Sequence, residues 1–107
     1  MKPKKFERPR DVRFPHNRRG ELSYNGSRFP CLIQDISISG FLIICARNPV
    51  VEQELDLRFE LTHGHVHQCK VQVKHIDDGC LGSVITDVGE NEGRMFKRFV
   101  ERHSVES

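Results

Sequence analysis

Leu55, Leu57, Phe59 and Leu61 alternate with Asp56, Arg58 and Glu60, a period of two that predicts a strand with one face in a core and one in water. Cys69, Val71, Val73 and His75 alternate in the same way with Lys70, Gln72 and Lys74, and His63-Gly64 between the two runs predicts the turn that pairs them. Upstream, Gly40–Cys45 (GFLIIC) is almost wholly apolar, as a central strand would be. Asn25-Gly26 readily takes the positive φ angles of a tight turn and predicts a hairpin between Glu21–Tyr24 and Phe29–Ile36. Asp77-Asp78-Gly79 marks a further turn, followed by a sixth strand at Leu81–Thr86.

The period then changes. Phe96, Phe99, Val100 and His103 stand at helical spacing with Met95 beside them, which predicts a C-terminal helix with an apolar face. Asn91 suits its cap, Glu92 the positive end of its dipole, and Arg102 and His103 the negative end. Residues 1–17 carry Pro3, Pro9 and Pro15 without any apolar period and read as a flexible basic arm. The organisation is therefore an arm (1–17), a folded body (18–103) and a short tail (104–107). Six short strands and one terminal helix predict a mainly β fold, an antiparallel barrel whose open end the helix covers.

Composition narrows this reading. A chain of 107 residues, 36% hydrophobic and 30% charged, fits one globular domain with a modest core. No apolar run reaches the roughly 18–20 residues of a membrane span, and the basic N-terminus lacks the apolar stretch of a secretion signal. Cys31, Cys45, Cys69 and Cys80 form no Cys-x-x-Cys pair, so the expectation is reduced thiols in a cytoplasmic protein. Charge is divided unevenly. Residues 1–19 hold eight Lys or Arg against two acidic groups, whereas residues 20–107 hold nine basic against thirteen acidic. Clustered guanidinium groups on an otherwise acidic chain suit a multiply charged anion such as phosphate.

Between the second and third strands lies Asp35-Ile36-Ser37-Ile38-Ser39-Gly40. Alternation predicts that Asp35, Ser37 and Ser39 share one polar face. A carboxylate accepts from paired N–H donors such as the edge of guanine, a serine hydroxyl donates to phosphate or a base, and Gly40 allows a close backbone approach or a left-handed turn. Arginines of the arm would add bidentate contacts to phosphate and guanine, and stacking on the base.

On these residues the chain resembles the PilZ domain family. Asp35-x-Ser37-x-x-Gly40 matches the family's Asp/Asn-x-Ser-x-x-Gly motif at each specified position, behind an arginine-rich segment and within the same strand order, over roughly residues 7–103. The resemblance implies a six-stranded barrel with a C-terminal helix that receives cyclic di-GMP. In the family's preceding Arg-x-x-x-Arg motif, Arg13-Phe14-Pro15 matches the second arginine, while Pro9 stands where the first belongs, flanked by Arg8 and Arg10. The implied ligand set is Arg8, Arg10, Arg13, Asp35, Ser37 and Gly40, with no cofactor and no metal. The implied function is a receptor that signals to a downstream protein partner through ordering of its arm.

Two alternatives stay open: an adaptor that keeps the barrel and binds only a protein, which Pro9 favours, and a small RNA-binding barrel, which the basic arm favours. Base stacking on a sheet calls for exposed aromatic residues, and with one Tyr and no Trp the composition disfavours nucleic acid. His63, His65 and His67 alternate and Cys69 continues their phase into Val71 and Val73, so His67 and Cys69 are expected to pack inward and not to hold a metal. No nucleophile with a partner base, no paired carboxylates and no glycine-rich phosphate loop stands out, so the chain reads as a binding module and not an enzyme.

Overall fold

The structure, a computed structural model, describes residues 14–47 and 49–105. Six strands follow in order: β1 (Phe14–Tyr24), β2 (Ser27–Ile36), β3 (Gly40–Cys45), β4 (Glu54–Thr62), β5 (His65–Asp77) and β6 (Cys80–Asp87). A helix, α1 (Glu90–Val105), completes the chain. Every pairing is antiparallel, and the strands close into a barrel in the order β1-β2-β3-β6-β5-β4. The closing seam between β1 and β4 is short, running only from Gly20–Phe59 to Ser23–Asp56.

The expected strands are present, with longer ends. Asn25 and Gly26 both take positive φ (51° and 81°) and turn β1 into β2. The alternation of β4 places Leu55, Leu57, Phe59 and Leu61 inside and leaves Asp56, Arg58 and Glu60 in solvent. β1 starts at Phe14, ahead of the arm boundary drawn at residue 17. A register shift between Pro15 and Arg18, with Asn17 at positive φ, breaks the period that would have announced it.

Inward residues of all six strands and Phe96, Phe99 and Val100 of α1 form one apolar cluster. Phe41 stands edge-on to Phe59 at 5.5 Å and meets Phe96 at 5.4 Å. A helix reaches the inside of a closed barrel only through an open end, so α1 covers that end. Asn91 does not cap it. Glu90 already begins the helix, Gly93 N–H donates to the Gly89 carbonyl, and Asn91 Oδ1 accepts from Arg94. The helix is fastened by polar contacts instead. Glu92 Oε1 lies 3.0 Å from His67 Nδ1 and 3.2 Å from His65 Nε2, joining α1 to β5.

Gly40 is fixed by packing. Its φ is not positive, but a Cβ there would overlap the carbonyl oxygen of Ser83 on β6, and that oxygen is backbone that cannot swing aside. The close approach of β3 to β6 therefore requires glycine at this position.

Two outcomes follow. Gly40→Ala should destabilise the fold by roughly 3 kcal/mol, read as a lower urea midpoint, because a methyl group is forced into packed backbone. His67 is fully buried, and burial lowers its pKa from the usual 6.5, partly offset by Glu92. The unfolded chain then takes up this proton first, so stability falls as pH drops below about 6.5. The urea midpoint should decline between pH 7.5 and 5.5, and His67→Phe should flatten that decline.

Candidate functional site

The outer face of β2, β3, β6 and β5 carries the candidate site, and a change of strand parity creates it. Cys31 and Ile33 of β2 point inward, so a period of two would send Asp35 inward as well. The register shifts between Ile33 and Asp35, which makes Gln34 an extra residue and exchanges the faces beyond it. Ile36 becomes buried opposite Phe41, and Asp35 emerges half-buried on the outside opposite Leu42.

The expected common face of Asp35, Ser37 and Ser39 does not form as alternation predicts. β2 ends at Ile36, and residues 37–40 close a tight hairpin in which Ser37 N–H donates to the Gly40 carbonyl at 3.0 Å. Ser37 is fully buried, with its Oγ 3.4 Å from the Gly40 carbonyl and 3.5 Å from Ser39 Oγ. The Ser39 carbonyl accepts from Ile85 N–H at 2.8 Å, tying the hairpin to β6. Of the three motif residues described, Asp35 alone offers its functional group outward. Ser37 and Gly40 build the bend that holds it. Arg8, Arg10 and Arg13 lie outside the described residues.

Two groups on the same face were not read from the sequence as site residues. Arg19 is exposed opposite Leu32 and, with Leu32, Ile44 and Cys45, lines a shallow groove. His75 was expected in the inward phase of Cys69, Val71 and Val73. A second register shift, between Val73 and His75, makes Lys74 the extra residue and turns His75 outward. Neither extra residue has a signature of its own: Gln34 stands between Ile33 and Asp35, and Lys74 between Val73 and His75, as ordinary strand residues do.

The remaining chemistry is quiet. Burial pushes the thiols of Cys31 and Cys69 up to about 12, and Cys45 and Cys80 are also raised, chiefly by burial. At neutral pH such thiols stay protonated and are poor nucleophiles. His67 and Cys69 point inward, as their phase predicts, with His67 stacked on Phe96 at 5.1 Å. Among the described residues, no group of three His, Cys, Asp or Glu side chains is arranged to hold a metal ion. Among them, too, no helix is long and apolar enough to cross a membrane.

Comparison with known proteins agrees with this architecture. The motility inhibitor MotI (DgrA) of Bacillus subtilis superposes with a TM-score of 0.81 at 12% identity, over 95% of this chain and 53% of that one, so this chain spans about half its length. The PilZ domain of CeSA from a cellulose-synthesizing bacterium superposes with a TM-score of 0.69 at 13% identity, over 87% and 98% of the two chains. PlzA of Borreliella burgdorferi, solved in complex with c-di-GMP, gives 0.61 at 18% identity, over 78% of this chain and 33% of that one. No curated protein matches in sequence. At these identities the likeness is one of fold. The sequence profile of the PilZ domain, by contrast, matches residues 6–102, and on that match the chain belongs to the PilZ domain family.

Proposed function

We propose that this protein binds cyclic di-GMP on the outer face of its barrel and conveys that binding to a protein partner. The observation that carries the reading is Asp35, turned out of the core by an inserted residue and held at a buried serine–glycine bend. Its carboxylate accepts from the N1 and N2 donors of guanine. Leu42, the next position across the sheet, forms an uncharged floor beside it. The PlzA structure adds support, because that protein, a third of whose chain shares this fold, was solved in complex with c-di-GMP.

Charge is completed from the N-terminal side. Pro15 is the cross-strand partner of Asp35, and Arg13 is two residues from Pro15 in the chain. In the proposed clamp, Arg13 takes one phosphate, and Arg8 or Arg10 serves where Pro9 leaves no guanidinium. Ordering the segment costs entropy, which charge-assisted hydrogen bonds offset. The closed segment then presents a new surface to the partner.

Calorimetric titration of the purified protein with cyclic di-GMP tests this. Asp35→Ala and Arg13→Ala should each weaken binding about ten- to a hundredfold, the loss of a charge-assisted hydrogen bond of roughly 1.5–3 kcal/mol, whereas Lys4→Ala should leave it unchanged. Pro9 favours a second reading, an adaptor that binds a protein alone. An intact fold with no heat at high micromolar nucleotide would select that one.

A further inference from the structure

Two of the barrel's strands fall out of step at the same level. Gln34 in β2 and Lys74 in β5 are each the extra residue, and beyond them Asp35 and His75 emerge on the same outer face. They are the ends of one cross-strand row: Asp35 opposite Leu42, Leu42 opposite Gly82, and Gly82 opposite His75. At the usual spacing of strands the row spans roughly 14 Å along the sheet.

The imidazole of His75 lies over Gly82. A Cβ at position 82 would overlap three atoms of the ring, so the ring fills the space that a side chain there would take. Gly82 is buried beneath it, while His75 itself is exposed. One side of the ring is thus set against backbone and the other is left to solvent. A flexible surface histidine offers no fixed plane; this one is levelled by the glycine below and aimed by the inserted residue before it. What results is a small aromatic platform beside an apolar floor, facing a carboxylate that accepts from a base edge.

From this juxtaposition we infer that His75 is the stacking contact for one purine of the nucleotide held at Asp35, an inference that rests on the cyclic di-GMP reading above. The base lies against the open side of the imidazole, and Leu42 excludes water between the two ends of the row. Gly82 is required because any side chain there would lift the ring off the sheet.

The test is a titration of the whole chain with cyclic di-GMP, using wild type, His75→Ala and His75→Phe, with thermal melting to verify that all three fold. Stacking of one base is worth about 1–3 kcal/mol, so His75→Ala should weaken binding by about fivefold to a hundredfold or more, while His75→Phe should hold it within about threefold. In proton NMR, the His75 ring protons should move upfield on saturation as the purine ring current reaches them. Wild-type binding that His75→Ala leaves within twofold, or ring protons that do not shift, would overturn the inference and leave the proposed site standing. A wild-type protein that takes up no nucleotide would remove that reading and this inference together.

Discussion

A strand in a closed barrel has one dry face and one wet face, and a single inserted residue exchanges them for everything that follows. Most of what distinguishes this molecule depends on that constraint. Ile33 and Ile36 are both fully buried although two residues lie between them, which is possible only because Gln34 is extra. Without it Asp35 would follow Cys31 and Ile33 into the apolar cluster, where an unpaired carboxylate is strongly unfavourable, and Ile36 would face water. The same insertion thus completes the core around Phe41 and delivers a charge to the surface. Packing and site cannot be separated at this point of the chain.

Among the described residues, ring side chains occupy the interior. Phe41, Phe59, Phe96 and His67 fill the middle of the barrel in ring-to-ring contact. His67 Nε2 is buried there without a hydrogen-bond partner, and the ring's polarity is met on one side only, by Glu92. A filled barrel that recognises a small molecule does so with its outer wall. There, strand parity and hairpin ends decide which side chains are presented.

How far the sequence could be read follows from the same parity rule. Where alternation runs unbroken, as from Leu55 to Leu61 and from Cys69 to Val73, side-chain pattern and structure coincide, and strand, face and core are legible together. The helix was equally legible, because Phe96, Phe99 and Val100 share one helical face and all three are buried. Legibility fails at the insertions. His75 was placed in phase with Cys69, Val71 and Val73 because nothing about Lys74 signals an extra residue. Asp35, Ser37 and Ser39 were grouped by spacing although a hairpin bend intervenes. β1 began earlier than expected because Pro15 and the irregular register after it mask the period. The glycine of the motif was read as allowing a close backbone approach or a left-handed turn, and the first holds, against the carbonyl of Ser83.

Closure of the barrel has one more consequence, for how a neighbour is engaged. Between Gly20 and Ser23 of β1 a partner cannot simply extend the sheet by laying its own strand alongside, since β4 already pairs there. Strand donation would first require the brief β1–β4 join to be prised apart. Along that join a neighbouring chain would meet side-chain relief and not free backbone, which would place specificity in individual residues of the wall.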